Sequence, residues 1–340
     1  MRDRDRRRRL DSLLDLPYNR HRTIMTEREI LEARHELLRA VREFFYERDY
    51  LEVETPSIMK TVPPDPYIDP IKVLVGEKGP FYLHTSPEVH MKRLLQYGHN
   101  RVFQVCRAYR VEELTELHNV EFTMLEWYRE GNYEDVMGEV QDLVYFVAGK
   151  LRSEGVKRFA APYRVFEIDR LFLETTGIDP LPLNRGDFFL AMQRAGFKGL
   201  DEKDGWNDLF FKLLVQEVEG RVKEKKPYFI KDWPKSISTM AKRKDSKKAE
   251  RFEFYIDGVE IGNGYSELLE PEEQRARFMK DNRDRVRLGK ETFLPDEPFL
   301  AALECLKGPY AGVAVGMDRL LMKIMGLERI DEVIVHRFTA

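Results

Sequence analysis

Residues 102–129 concentrate ionisable side chains in two strand-like runs joined by a polar loop. They include Arg107, Arg110, Glu112, His118, Glu121 and Glu126. The runs are rich in Val, Phe and Tyr, which favour strands, and residues opposite one another in an antiparallel pair lie roughly 5 Å apart. Arg110 and Phe122 are therefore expected to reach one ligand near the loop. Because charged side chains are almost never fully buried unless paired, the hairpin indicates a site for a phosphate and an amine. A solvated hairpin with ordinary salt bridges fits the spacing equally well.

Two further carboxylates, Glu260 and Glu267, flank the sequence Ile-Gly-Asn-Gly-Tyr-Ser. Two glycines this close within an apolar strand pattern predict a turn whose backbone closely approaches another group. Carboxylates beside such a turn suit Mg²⁺, which takes hard oxygen ligands and shares them with nucleotide phosphates. A tight turn with solvated acids is the alternative.

A third stretch, residues 311–322, predicts a small-residue strand that runs into a helix beginning near Met317, with Arg319 in its first turn. Gly312 and Gly316 leave room for a ligand over that strand. Arginine at a helix start opposes the helix dipole, so an anionic partner is expected, and the planar guanidinium suits phosphate. Taken alone, the pattern would favour an arginine paired with a nearby acid.

Together, the three stretches resemble the class II aminoacyl-tRNA synthetases. The matching residues are Arg110, Glu112 and Phe122 for the second motif of that family, Gly316 and Arg319 for the third, and residues 50–56 (YLEVETP) for the first, through which the family forms dimers. The segments HNVEFTMLEWY and EIGNGYSEL are similar to the corresponding patterns of lysyl-tRNA synthetases. The resemblance covers the chain from about residue 30 to its end.

The position of the first motif, near residue 50, leads us to expect no room for the anticodon-binding domain of a lysyl-tRNA synthetase. The chain resembles instead the stand-alone paralogues that attach (R)-β-lysine to elongation factor P. Residues 85–95, TSPEVHMKRLL, and Ala314, where synthetases have glycine, are similar to those paralogues. One methyl group in a pocket changes discrimination by about 1–3 kcal/mol, which suits the shifted amino group of β-lysine. Val111, Leu117 and Val120 depart from the family pattern.

This resemblance implies an α+β protein with the class II synthetase catalytic fold, an antiparallel β-sheet flanked by helices. It implies that ATP and Mg²⁺ activate (R)-β-lysine or lysine as an aminoacyl-adenylate, which is transferred to a lysine side chain of elongation factor P. Arg110 at the α-phosphate and Arg319 at the γ-phosphate would be catalytic. The other residues assigned to ATP are Glu112, His118, Asn119, Phe122, Glu260, Ile261 and Gly316. The residues assigned to the amino acid are Ser86, Glu88, Glu126, Tyr128, Asn263, Glu267 and Ala314, and those assigned to Mg²⁺ are Glu260 and Glu267.

The composition argues against several other classes of protein. Hydrophobic residues make up 42% of the 340 residues, enough for a sizeable core. A net charge of −3 offers no global attraction to nucleic acid, and tRNA is not expected as an acceptor. Two cysteines without metal spacing indicate a reducing compartment. Because no apolar run reaches the ~20 residues of a membrane span and no signal peptide is evident, we expect a cytoplasmic protein and, by the resemblance, a homodimer.

The predicted organisation is one catalytic domain at residues 26–340, preceded by an Arg-rich segment at residues 1–25. That segment is predicted to be a disordered tail, with an RNA- or partner-binding arm as the alternative. A capping box at Thr26 and Glu29 predicts a helix to about Arg48, and Asn132 predicts the start of another. Residues 155–227 are predicted to be a helical insertion, and residues 242–248 a flexible charged loop.

Two other functions stay open from the sequence. One is a compact lysyl-tRNA synthetase that charges tRNA, and the other is a catalytically inactive paralogue with a binding or regulatory role. The expected absence of an anticodon-binding domain and the acidic charge balance argue against the first. The presence of Arg110, Arg319, Glu260 and Glu267 argues against the second, because an inactive site has no physical reason to keep these charges.

Overall fold

The described part of the chain contains nine α-helices and eleven β-strands. The structure is a computed structural model that describes residues 25–111, 114–151, 155–222, 224 and 226–338. The Arg-rich segment up to residue 24 and Glu112 lie outside the described residues. The helices are α1 (Glu27–Tyr46), α2 (Glu88–Leu95), α3 (Tyr133–Leu151), α4 (Ile168–Thr176), α5 (Arg185–Arg194), α6 (Trp206–Leu213), α7 (Pro271–Arg287), α8 (Glu297–Cys305) and α9 (Met317–Ile324). The strands are β1 (Leu51–Glu52), β2 (Ile58–Met59), β3 (Lys72–Val75), β4 (Lys78–Leu83), β5 (Arg101–Tyr109), β6 (Glu121–Glu130), β7 (Arg164–Glu167), β8 (Tyr228–Lys231), β9 (Arg251–Ile256), β10 (Val259–Ser266) and β11 (Tyr310–Gly316).

Eight strands form one sheet in the order β1-β5-β6-β11-β10-β9-β8-β7. Within this order, each strand is antiparallel to the next in the run β5-β6-β11-β10-β9-β8. The predicted antiparallel sheet is therefore confirmed at its centre. The outer pairs, β1 with β5 and β7 with β8, are parallel. Each parallel pair is joined by a crossover that contains helix, as parallel neighbours require. A second sheet, β2-β4-β3, lies apart from the first.

Helix α1 begins at the predicted capping box. The Thr26 N–H donates to the Glu29 carboxylate at 2.8 Å, and the Glu29 N–H donates to Thr26 Oγ1 at 3.3 Å, so two helix donors are satisfied. The helix ends at Tyr46, slightly before the predicted Arg48. Its apolar face packs with α3 and the sheet in the main core, where each fully buried Leu, Ile or Phe contributes ~1.5–3 kcal/mol. Helix α3 begins after Asn132, as predicted, and the Asn132 Oδ1 accepts its first N–H groups.

The glycine-containing stretch between Glu260 and Glu267 is strand β10 and not the predicted turn. The turn precedes it, at residues 257–258. A Cβ atom added to Gly264 would lie 2.6 Å from the Phe252 ring and 2.7 Å from the Gly312 carbonyl oxygen. The backbone therefore approaches neighbouring strands closely, and glycine is needed here because those strands leave no room for a side chain.

Residues 155–227 combine helices α4, α5 and α6 with strand β7, which extends the main sheet at its edge. Their apolar side chains form a second core with β8 and β9. Residues 242–248 were predicted as a flexible loop, but Arg243 and Lys248 form isolated β-bridges with Ala249 and Pro234. Ion pairs from Lys244 to Asp232 at 2.7 Å and from Lys248 to Asp169 at 2.6 Å hold this segment against the insertion and the sheet.

Candidate active site

The charged hairpin consists of β5 and β6, which pair in antiparallel register along their whole common length. Arg110 directly follows β5, and its N–H donates to the Val120 carbonyl at 3.0 Å. The Arg110 guanidinium lies 5.2 Å from the centre of the Phe122 ring, and its Nε donates to the Thr85 carbonyl at 3.3 Å. The structure thus brings Arg110 and Phe122 together at the loop end of the hairpin.

Arg319 lies in the first turn of α9, which starts directly after β11. Its Nη1 donates to the Glu260 carbonyl at 3.0 Å and its Nε to the Leu117 carbonyl at 3.1 Å. Among the described residues, Arg319 forms no salt bridge with a carboxylate. The alternative interpretation, an arginine paired with a nearby acid, therefore does not describe this residue. Leu117 and Val120, which depart from the family pattern, act here through backbone carbonyls that any residue would supply.

Asp318, beside Arg319, is a structural member of the site that the sequence reasoning did not single out. Its Oδ1 lies 2.6 Å from Nη1 of Arg34, and its Oδ2 accepts the Thr123 N–H at 2.8 Å. It is almost fully buried. Asp318 therefore joins α9 to α1 and β6 and fixes the helix turn that carries Arg319.

A cleft with two lobes opens over the central strands. The larger lobe has a volume of about 420 Å³ and is lined by every described residue assigned to ATP. These residues are Arg110, His118, Asn119, Phe122, Glu260, Ile261, Gly316 and Arg319. The remaining one, Glu112, lies outside the described residues. The lobe therefore combines three arginines, Arg110, Arg319 and also Arg251, with an aromatic ring, as a nucleotide with phosphates requires.

The smaller lobe has a volume of about 190 Å³ and is lined by all the residues assigned to the amino acid. These residues are Ser86, Glu88, Glu126, Tyr128, Asn263, Glu267 and Ala314. Ala314 is the cross-strand partner of both Glu126 and Asn263, which places it in the lobe floor. Arg110, Asn263 and Ala314 line both lobes, so the two lobes meet where Arg110 stands.

Burial raises the pKa of two glutamates in the smaller lobe. The pKa of Glu267 rises to about 8, chiefly because burial disfavours its charged form. The pKa of Glu126 rises to about 7 through burial and the nearby Glu88, although the Ser86 and Tyr128 hydroxyls donate to its carboxylate at 2.6 and 2.5 Å. A bound cation would favour both ionised forms. The electrostatics of the lobe therefore suit an ammonium ligand.

Lys92, which the sequence reasoning did not identify, lies behind these acids and is only 2% exposed. Its Nζ lies 2.5 Å from Glu88 Oε1 and in ion-pair contact with Glu267, and the rings of Tyr128 and Tyr265 face it at 5.9 and 5.1 Å. Burial acts to lower the pKa of Lys92, but the two carboxylates outweigh it and raise that pKa. The available signal was the i,i+4 spacing of Glu88 and Lys92 on α2.

The structure separates the two carboxylates assigned to Mg²⁺. Glu260 and Glu267 stand at opposite ends of β10, seven residues and therefore roughly 20 Å apart, and they line different lobes. One ion cannot bind both, so the structure does not bring this predicted pair together. Glu260 pairs across the sheet with Tyr255, on the same face as Glu253. Burial, and next the charge of Glu260, raise the pKa of Glu253 to about 8 although Arg251 opposes this effect.

Glu253 and Glu260 are thus the carboxylates of the larger lobe that repel each other, and a divalent cation bound there would relieve the repulsion. Within the described ranges, no group of three or more His, Cys, Asp or Glu side chains is arranged to hold a metal ion. Ligands from phosphate oxygens would have to complete such a site. None of the helices in the described part of the chain is long and apolar enough to cross a membrane.

Comparison with known proteins gives a family match and close relatives. Residues 14–339 match the family described as tRNA synthetases class II (D, K and N). The chain is 34% identical to an elongation factor P–(R)-β-lysine ligase of Vibrio atlanticus, over 91% of this chain and 95% of the relative. It is 37% identical to the ligase of that name from Mannheimia succiniciproducens, over 89% and 93%, and 38% identical to that from Proteus mirabilis, over 86% and 90%.

The sheet and its two-lobed cleft define the catalytic domain of a class II synthetase, and the predicted fold class is confirmed. The chain belongs to the class II tRNA synthetase family (D, K and N), in the group of the elongation factor P–(R)-β-lysine ligases. The resemblance inferred from the three motifs is therefore confirmed.

Proposed function

We propose that this protein activates (R)-β-lysine with ATP and transfers it to a lysine side chain of elongation factor P. The observation that carries the proposal is the junction of a phosphate-type lobe and a glutamate-rich lobe at Arg110. Support also comes from relatives with that printed activity, which the chain covers over nearly their whole length. The chain is an ATP-dependent ligase, and residues 26–340 act in it as one catalytic domain.

The first step joins the amino acid to AMP. The amino acid carboxylate attacks the α-phosphorus of ATP, and pyrophosphate leaves with the electron pair of the broken P–O bond. Arg110, at the junction of the lobes, would stabilise charge on the α-phosphate, and Arg319, held by two carbonyls, would bind the γ-phosphate. Phe122 would stack on the adenine. Because these groups are fixed before substrate binds, they lower the barrier by positioning and electrostatic stabilisation.

The smaller lobe matches the charge of the activated amino acid. In the adenylate the carboxylate is esterified, while both ammonium groups of a lysine isomer remain. Counted at their formal charges, Glu88, Glu126 and Glu267 carry three negative charges and Lys92 carries one positive charge, which leaves two net negative charges. Burying an unpaired ammonium would be costly. A diamino acid is therefore the ligand that neutralises this lobe.

The choice of (R)-β-lysine over lysine rests on Ala314 and on the relatives' printed name. Ala314 stands between Glu126 and Asn263 in the sheet register, at the floor where an amino group shifted by one carbon would lie. A methyl group at such a place typically changes discrimination by about 1–3 kcal/mol. Lysine is accordingly expected to be the poorer substrate.

Mg²⁺ is part of the proposal. Glu260 and Glu253 would hold it, because their repulsion in the larger lobe favours a cation. The ion would supply charge neutralisation to the ATP phosphates. The side chain of Glu267 is engaged with Lys92 in the smaller lobe and serves the amino acid.

A homodimer in the cytoplasm is also proposed. The exposed apolar side chains of Leu31, Tyr46 and Leu51 lie on α1 and β1, which precede and form the first motif. A second copy of the chain would cover them. Cys106 and Cys305 are free thiols, which suits a reducing compartment.

The test is the intact mass of elongation factor P after incubation with this protein, Mg-ATP and (R)-β-lysine. An ATP-dependent increase by one lysyl unit supports the proposal, and the same incubation with lysine measures the isomer preference. An unchanged mass, together with ATP–pyrophosphate exchange that depends on β-lysine, would refute the acceptor. Charging of tRNA under those conditions would then identify a compact synthetase.

A further inference from the structure

One buried carboxylic acid at the junction of the lobes has no part in the steps above. Asp281 lies on α7, is 3% exposed and lines both lobes. Among the described residues that line both lobes, only Asp65 and Asp281 carry carboxylates. Asp65 Oδ1 accepts the Tyr67 N–H at 2.7 Å and so shapes its own loop. Asp281 therefore differs from Asp65, because its carboxylate does not stabilise a local turn.

The surroundings of Asp281 suit a group that gains and loses a proton near neutral pH. Burial is the main cause that raises its pKa to about 7, and the charges of Asp65 and Asp284 raise it further. The Thr239 hydroxyl donates to Oδ2 at 2.5 Å, and Lys280 Nζ approaches Oδ1 only to 3.7 Å, so both oppose the rise without cancelling it. A base with a pKa near the working pH is the efficient kind.

The second step of the proposed reaction needs such a base, and this inference rests on the proposed function. The acceptor lysine must be neutral to attack, yet with a pKa of about 10.4 only roughly one lysine in 2,500 is neutral at pH 7. The adenylate carbonyl joins the amino acid to the α-phosphate, so it must lie where the lobes meet. Two cationic residues, Arg110 and Arg251, and the acidic residue Asp281 line that junction.

We propose that Asp281 accepts a proton from the ε-ammonium of the acceptor lysine at this junction. The freed nitrogen lone pair forms the amide bond to the adenylate carbonyl carbon. The bond from that carbon to the phosphate oxygen breaks, and AMP leaves with its electron pair. The second proton on the attacking nitrogen passes to solvent as the tetrahedral intermediate collapses, and Asp281 returns its proton to solvent before the next cycle.

The test compares two acceptors in the Asp281→Asn variant, which keeps the shape of the side chain and an oxygen for Thr239. Hydroxylamine is largely neutral at pH 7 and traps the adenylate as a hydroxamate without a base. We expect hydroxamate formation and ATP–pyrophosphate exchange to match the wild type. Transfer to elongation factor P should fall by about 10²- to 10⁴-fold, the usual effect of losing a general base.

Glu272→Gln is the matched control, because it removes an exposed carboxylate from the first turn of the same helix, outside the cleft. It should transfer normally. Equal losses with both acceptors in Asp281→Asn, or undiminished transfer to elongation factor P, would overturn the role of Asp281. In the wild type, single-turnover transfer should rise with pH and level off above about 7. Unassisted loss of the lysine proton would instead make transfer keep rising toward the lysine pKa of about 10.4, so this readout needs no variant.

Failure of the proposed function would look different. A wild-type enzyme that forms the hydroxamate of β-lysine but leaves elongation factor P unmodified would refute the acceptor, and with it the role of Asp281. Wild-type transfer that survives in Asp281→Asn would refute Asp281 alone.

Discussion

Replacing Glu126 by glutamine removes one carboxylate from the amine lobe while keeping its shape. Glu126 is 1% exposed, and its carboxylate accepts the Ser86 hydroxyl at 2.6 Å and the Tyr128 hydroxyl at 2.5 Å. Its pKa of about 7, against the ordinary 4.5, means that ionising it in the empty site costs about 3 kcal/mol. Glutamine avoids that cost but offers no charge to an ammonium group.

The expected effects on activity and stability are opposite in sign. Breaking a buried ion pair loses about 3–5 kcal/mol, so the kcat/KM for (R)-β-lysine in ATP–pyrophosphate exchange should fall roughly 10²- to 10⁴-fold. The pKa of Glu126 is higher in the folded protein than in the unfolded chain. Wild-type stability therefore falls relative to Glu126→Gln as pH rises from about 4.5 through 7, by about 3 kcal/mol in total.

Thermal unfolding without substrate at pH 5 and pH 8 measures the second effect. The Tm advantage of Glu126→Gln should be larger at pH 8. Glu130→Gln is the matched control, because Glu130 is an exposed residue on the same strand, and it should change neither property. Normal exchange kinetics in Glu126→Gln, or a Tm difference that does not grow with pH, would refute the reasoning.

Three other substitutions test separate parts of the site. Gly312→Ala should raise the KM for the amino acid and destabilise by about 1–3 kcal/mol, seen in denaturant unfolding, because the new Cβ would lie 2.3 Å from the Tyr128 ring. Lys92→Met should destabilise more at pH 9 than at pH 6, by about 1–2 kcal/mol, because Glu267, with a pKa of about 8, is ionised and loses its buried partner only at the higher pH. Arg319→Lys should raise the KM for ATP and leave that for the amino acid unchanged, because it keeps the charge but loses the guanidinium fork.

Each of these has a contrary result. A Gly312→Ala variant with unchanged unfolding would mean that Tyr128 moves aside freely. Equal destabilisation of Lys92→Met at both pH values would remove the charge explanation and leave only lost packing. A rise in the KM for the amino acid in Arg319→Lys would show that the two lobes are not separate sites.

Local sequence signals anticipated much of the fold. Two helix starts were predicted from capping residues, one from Thr26 with Glu29 and one from Asn132. A capping side chain accepts hydrogen bonds from N–H groups in the first turn of the helix that follows it. Runs rich in Val, Phe, Tyr and other strand-favouring residues predict β5 and β6, and the strand that leads into the helix of Arg319 was also predicted correctly. These interactions act between residues close in sequence, so the sequence carries them. The parallel edges of the sheet depend on crossovers between distant segments and could not be read in that way.

By itself, the sequence determined the family, the central antiparallel sheet and many of the residues that line the cleft, because each follows from local pattern or from a motif of fixed spacing. Only the tertiary structure decided how those residues divide between two lobes. It placed Glu267 with Glu88 and Lys92, set Glu260 beside Glu253, and put Asp281 at the junction. Burial and long-range neighbours set the charge state of a carboxylate, and both arise only when distant strands and helices pack together.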